Sequence, residues 1–215
     1  ALPIYRPLDV PGSRFYGTSS DFENNQVNMA TASWQHKFSD DTVLRSILRG
    51  AEYSRDLWAT QPQLRNTGCA AGTVTSWTDA SCINRSVKAR GGNERTLTSQ
   101  TDLTTKFTTG SLKHEALIGV ELLKEDANRW SYATPSNFTT TVGNPDADPT
   151  MPAAFSNRAQ INPASYSGLT KAIYGQDIIE FTPGWKALFG IRRDQLDVSY
   201  RNTTTSTKTT MQGDF

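Results

Sequence analysis

Groups suited to covalent or metal chemistry are few in this sequence and widely dispersed. The two histidines, His36 and His114, fall in separate extended segments without a cysteine or carboxylate at metal-ligand spacing, so both are expected in a wall or interface rather than a metal centre. "NPDADP" at 144–149 lacks the glycine and the later ligand series of a calcium loop and is expected to be a solvated loop. "ARGG" and "GNERT" do not have the spacing of a phosphate loop. Cys69 and Cys82 lie in a stretch rich in Gly, Ala, Thr and Ser with no histidine nearby, which makes a poor four-ligand zinc site. A loop disulfide is the better reading; it implies an oxidising compartment and, across so short a loop, contributes ~3 kcal/mol at most. No enzymatic constellation emerges. Two clusters instead combine a guanidinium with aromatic rings: Tyr53, Arg55 and Trp58 in "YSRDLW", and Arg129, Trp130 and Tyr132 in "NRWSY". Each lies at the end of an extended segment, and what such segments are is set by the rest of the chain.

The chain has 215 residues, a formal net charge of +1 and 36% hydrophobic residues, with a mean hydropathy of −0.54. That length allows one substantial domain or two small ones. The near-neutral balance gives no electrostatic case for nucleic acid as a partner. The longest apolar runs, "ALIGV" and "ALFGI", fall far short of the roughly 18 residues a membrane helix needs. The first residues lack a basic region followed by a continuous apolar one, and are not read as a signal peptide.

Period-two alternation is the dominant signal. In "LKHEALIGVELL", Leu112, Ala116, Ile118, Val120 and Leu122 share one face, interrupted by His114, while Lys113, Glu115 and Glu121 take the other. Leu97 to Phe107 alternates in a compatible phase, and each segment is about 11 residues long, the length of a tilted strand crossing a bilayer. Three turns share a form, "FSDD" at 38–41, "FTTG" at 107–110 and "FTPG" at 181–184, spaced roughly seventy residues apart. They predict six strands near 25–38, 42–56, 95–107, 111–130, 167–181 and 185–200. In the second of these, Val43, Arg45, Ile47 and Arg49 alternate with Leu44 and Leu48, which predicts a bulge or an early exit from the membrane. The connections at the opposite end, 57–94 and 131–166, are long and polar. Short turns at one end and long loops at the other describe an outer-membrane β-barrel, with Phe38, Phe107, Phe181 and Trp185 in an aromatic girdle. A soluble β-sandwich with long loops at one end remains the alternative on pattern alone.

"RPLDVPGSRFYGTSSDFE", "HKFSDDTVLRSILRGAEYSRDLWATQP" and "YGQDIIEFTPGWKALFGIRRDQLDVSY" resemble consecutive stretches of the barrel of TonB-dependent siderophore receptors, in particular the catecholate type. The likeness covers nearly the whole chain in order and weakens at 66–93 and 136–165. It implies an all-β fold: six strands of an antiparallel transmembrane barrel of about 22 strands, with short periplasmic turns and long extracellular loops. Residues 1–215 are then a single partial barrel domain, an internal fragment without the plug or the remaining strands. The resemblance implies import of a ferric siderophore across the Gram-negative outer membrane, with TonB contacting the absent plug, membrane lipid around the wall and the iron carried within the ligand. A bulky, aromatic, anionic ligand of that kind calls for Arg and aromatic rings, so Tyr53, Arg55, Trp58, Arg129, Trp130 and Tyr132 become the candidate ligand-binding residues. A porin or adhesin barrel without a plug, and a secreted binding module, are the other readings.

Overall fold

The computed structural model describes residues 10–63, 77–149 and 158–215. Its elements are all strands: β1 (Phe22–Lys37), β2 (Thr42–Gln63), β3 (Cys82–Thr109), β4 (Leu112–Tyr132), β5 (Phe138–Thr141), β6 (Gln160–Thr182), β7 (Trp185–Asn202) and β8 (Thr207–Asp214). They form one 8-stranded sheet in the order β1-β2-β3-β4-β6-β7-β8, with β5 paired to β3. This up-and-down order is the one produced by sequential hairpins. The antiparallel registers are continuous, as in Tyr174 opposite Arg192 on β6 and β7 and Ser199 opposite Thr210 on β7 and β8.

All three expected tight turns are present, and their residues explain them. Ser39 Oγ accepts hydrogen bonds from the backbone N–H groups of Asp41 and Thr42 at 3.3 and 3.1 Å, closing the first. The other two need a left-handed residue, which Gly110 (φ 61°) and Gly184 (φ 85°) supply without a Cβ penalty. Gly184→Ala is therefore expected to destabilise the β6–β7 hairpin by about 1–2 kcal/mol, measurable as a shift in a denaturant titration.

Two strands were not expected. β8 follows a tight turn at 203–206 in which Asn202 Oδ1 accepts from the N–H groups of Thr204 and Thr205 at 3.0 and 3.3 Å. Its sequence, "TKTTMQGD", has one large apolar side chain and so no alternation to read. β5 lies within the long connection after β4 and pairs with the start of β3, Cys82 opposite Thr141. That pairing extends β3 well before the expected position 95. β2 runs unbroken through the mixed "TVLRSILR" stretch. Hydroxyl pairs, Thr42 with Thr105 at 2.9 Å and Ser46 with Thr101 at 2.9 Å, share one face there with Leu44 and Leu48, and Arg45 and Arg49 take the other, so polar atoms occupy both faces without a break in the strand.

The chain divides into two compact units. Unit 1 comprises Ala1–Asn25, Arg55–Gly91 and Trp130–Ile161; unit 2 comprises Gln26–Ser54, Gly92–Arg129 and Asn162–Phe215. Unit 1 has a small apolar core of Trp58, Val87 and Tyr132, flanked by Phe22, Ala89, Trp130 and Phe138. Unit 2 is a sheet that leaves large apolar side chains in the open, among them Ile118, Val120, Leu122, Ile173, Phe189 and Ile191. In β4 the exposed ones are the even-numbered positions, as the alternation predicts. Near the turns of unit 2, His36 lies between Trp34 (ring centroids 5.9 Å) and Phe38 (4.6 Å). His114 stacks on Phe107 at 4.6 Å and its Nδ1 lies 2.7 Å from Asp177 Oδ2.

Candidate functional site

Strand alternation divides each of the two sequence clusters. Along β2, Tyr53 and Arg55 point to one side and Trp58 to the other; along β4, Arg129 points to one side and Trp130 and Tyr132 to the other. Neither trio is presented whole on one face. A residue pair on β1 makes the split visible within unit 1: Glu23 meets Arg55 at 2.6 Å, whereas its neighbour Phe22 packs in the cluster around Trp58.

Trp58 and Tyr132 are core residues, 4% and 9% exposed. Arg158 lies over that core, its guanidinium 4.3 Å from the centroid of Phe22 and 5.5 Å from that of Trp58. Contacts of this kind hold a cation by the negative face of the ring. Arg158 adopts φ 48°, an uncommon conformation for a side-chain-bearing residue. Arg55 is half exposed, with its charge compensated by Glu23. Unit 1 also has a fully buried cation, Arg85, at 0% exposure. It donates to the carbonyls of Asp146 (2.6 Å), Gly17 (3.3 Å) and Thr139 (3.4 Å) and stacks over Phe138 at 4.6 Å. Burial lowers its pKa from the ordinary guanidinium value, and the carboxylates of Asp146 and Asp21 work in the opposite sense.

These bonds give "NPDADP" a specific form. Asp146 N–H donates to Thr140 Oγ1 at 2.8 Å, Asp148 N–H to Asp146 Oδ1 at 2.9 Å, and Ser19 N–H to the Ala147 carbonyl at 2.8 Å. A second knot joins Thr18, Asp21 and Thr60: Asp21 Oδ1 accepts from both hydroxyls at 2.8 Å. The segment before β1 and the loop around 140–148 are thus tied together by hydrogen bonds within unit 1.

In unit 2, Tyr53 is 38% exposed. Arg129 donates to Tyr200 Oη at 2.8 Å with its guanidinium 5.7 Å from that ring. Tyr53 and Arg129 are on strands separated by β3. The same unit carries a polar wall: Tyr174 donates to Asp102 and accepts from Gln100 at 2.9 Å. Arg192 meets Asp194 at 2.8 Å and Glu121 at 3.4 Å, with its guanidinium 5.3 Å from the Tyr174 centroid. Sequence reasoning missed Tyr200 and Arg158. Tyr200 was accessible, since "DVSY" ends a predicted strand at the level of "NRWSY". Arg158, in "FSNRAQ", has nothing in its sequence neighbourhood that signals Phe22 and Trp58 as its stacking partners. Cys82 opens β3 and is disulfide-bonded; Cys69, its expected partner, lies outside the described residues.

A sheet of sequential antiparallel strands, with tight turns at one end, an exposed apolar face and a wall of hydrogen-bonded polar side chains, belongs to the β-barrel class. Residues 3–215 match the family model "TonB dependent receptor-like, beta-barrel", and the chain belongs to that family. It is 28% identical over 197 residues to the catecholate siderophore receptor Fiu of Escherichia coli strain K12, which covers 91% of this chain and 25% of the relative. The chain therefore spans about a quarter of the length of that relative. The solved structure of the closed form of the ferric-catecholate import receptor Fiu superposes with a TM-score of 0.80 at 22% identity, over 94% of this chain and 31% of that one. The siderophore receptor PiuA from Acinetobacter baumannii gives a TM-score of 0.79 at 20% identity, over 97% of this chain and 31% of that one. These two likenesses establish the fold of the sheet.

Proposed function

We propose that the chain is part of the wall of a TonB-dependent receptor that imports ferric catecholate siderophores across a Gram-negative outer membrane. The observation that carries this reading is the match to the receptor-barrel family along residues 3–215, in a sheet that leaves a row of apolar side chains, among them Ile118, Val120, Leu122, Ile173 and Ile191, exposed. The catecholate assignment draws on the relative at 28% identity. In this reading the alternating strands of unit 2 cross the membrane. The plug and its contact with TonB are supplied by other parts of a longer chain, and transport follows TonB-driven rearrangement of that plug. The protein is a receptor and not an enzyme, and the iron is ligated by the siderophore.

Ligand contact is proposed for Tyr53, Arg55 and Arg129, which project from the strand sides opposite Trp58, Trp130 and Tyr132. Tyr200 joins them through Arg129. Arg supplies charge-assisted hydrogen bonds to catecholate oxygens and Tyr supplies a stacking face. Trp58 and Tyr132 belong to the apolar core of unit 1, with Trp130 packed against it. Cys69 and Cys82 close a loop disulfide, which thiol-specific labelling with and without reductant tests: labelling without reductant contradicts it.

In the complete receptor, Arg55→Ala combined with Arg129→Ala is expected to weaken ferric-siderophore binding by about tenfold or more, the worth of a charged hydrogen bond lost at either position. Fluorescence quenching on ferric catecholate addition measures it. Unchanged affinity in the double variant removes both residues from the site.

A further inference from the structure

The polar side of unit 2 repeats one cross-strand contact at two levels. Positions 121 and 129 share a side of β4, and positions 192 and 200 share a side of β7, because an even number of residues separates each pair. At the level nearer the tight turns, Arg192 of β7 meets Glu121 of β4 at 3.4 Å across the intervening β6, and meets Asp194 at 2.8 Å. At the level farther from those turns the cation has changed strands. Arg129 of β4 donates to Tyr200 Oη of β7 at 2.8 Å, with its guanidinium 5.7 Å from the ring centroid. On β6, Tyr166 is opposite Tyr200 and folds over Gly168, its Oη 2.6 Å from where a Cβ would stand, which keeps the line from Arg129 to Tyr200 open.

The two levels differ in what satisfies the guanidinium. Arg192 has two carboxylates, whereas Arg129 has a neutral phenol and no ion pair among the described residues. Glu94 and Glu125 share this side and their charges act on the Tyr166 phenol, but neither pairs with Arg129. Arg129 is exposed and Tyr200 half-buried, so a solute can reach the contact. A phenol presents half of what a catechol presents. An anionic oxygen is the stronger acceptor for a guanidinium, and two adjacent oxygens engage two of its N–H groups at once. We propose that Tyr200 is an internal stand-in for the ligand: in the empty receptor its hydroxyl occupies the Arg129 donor that a catecholate oxygen takes, and the ligand displaces the hydroxyl while the ring stays as a stacking face. The inference rests on the reading of Arg129 as a ligand contact. The phenol keeps the guanidinium aimed, and the work of displacing it weakens the apparent affinity of every ligand that uses Arg129. Glu94 and Glu125 oppose an anionic ligand with or without the Tyr200 hydroxyl, so they lower affinity without altering this competition.

The stand-in role and a purely supporting role predict opposite signs. Tyr200→Phe keeps the ring and removes the competing acceptor. In the complete receptor it is expected to bind a ferric catecholate about threefold to tenfold more tightly, the worth of one hydrogen bond no longer displaced. In an Arg129→Ala background the same substitution should change nothing beyond about twofold, since there is then no donor to compete for. Titration by fluorescence quenching measures the four proteins, and heat-modifiable electrophoretic mobility checks that each is folded. Unchanged or weaker binding by Tyr200→Phe, or a gain that persists without Arg129, overturns the inference. Binding by the unsubstituted receptor without the gain in Tyr200→Phe sinks this inference alone, whereas no binding by the unsubstituted receptor sinks the receptor reading.

Discussion

Val120→Arg is expected to destabilise the bilayer-inserted barrel by about 2–4 kcal/mol, the cost of a guanidinium on the lipid side near the midplane. Val120 is half exposed, at 50%, and sits in the middle of the exposed row of β4 between Ile118 and Leu122. In water such a position tolerates Arg within about 0.5 kcal/mol and gains solubility. The substitution therefore has opposite consequences for a membrane wall and for a soluble sandwich. Gln176, exposed on the other side of β6 from Ile173, provides the control. Gln176→Arg is expected to be nearly neutral, because that side carries the hydrogen-bonded groups of Tyr174 and Arg192. Unfolding in urea from phosphatidylcholine bilayers measures both. Equal effects of the two substitutions contradict the assignment of the faces.

Trp58→Ala is expected to cost about 3–5 kcal/mol and to loosen unit 1. The indole is 4% exposed, packs with Val87 and Tyr132 and presents its ring to Arg158. Removing it opens a cavity and takes away one face of the cation's support. Limited proteolysis should then cut within the loops of unit 1 much faster than in the unsubstituted protein. Trp58→Phe retains most of the packing area and a ring face, so it should restore protease resistance and leave siderophore affinity intact. A large loss of affinity in Trp58→Phe with the loops still resistant means the indole itself touches ligand, and the division of roles proposed for Trp58 and Arg55 is then wrong.

That division was present in the sequence as parity. Positions 53 and 55 differ from 58 in the side of the strand they take, just as 129 differs from 130 and 132. Reading the clusters as linear groups missed this, because spacing along a strand says which residues are near in height while alternation says which share a face. The wall itself was legible for a physical reason. A strand with lipid on one side and polar groups on the other must alternate, and Ile118, Val120 and Leu122 against Glu121 do so. Turns were legible because Gly110 and Gly184 need left-handed backbone that other residues resist. β8 and the first half of β3 were hidden because their side chains, "TKTTMQGD" and "CINRSVKARGGNE", are mostly polar or small on both faces. β8 is ordered by backbone pairing to β7, and the start of β3 by pairing to β5 together with burial of Ile83 and Val87, too few apolar positions to show as an alternation. Arg85 was equally hidden. Its partners are the carbonyls of residues 17, 139 and 146, and backbone acceptors have no signature in the side-chain alphabet.

The proposed membership of these strands in a TonB-driven importer of ferric catecholates is open to direct test. The most direct measurement is uptake of radiolabelled iron, supplied as a ferric catecholate, by iron-starved Gram-negative cells that lack other catecholate receptors and express the complete receptor, with and without TonB. The account predicts uptake that requires both the receptor and TonB and that falls in the Arg55→Ala, Arg129→Ala variant. Uptake that persists without TonB, or no uptake by a receptor shown to be folded in the outer membrane, contradicts it.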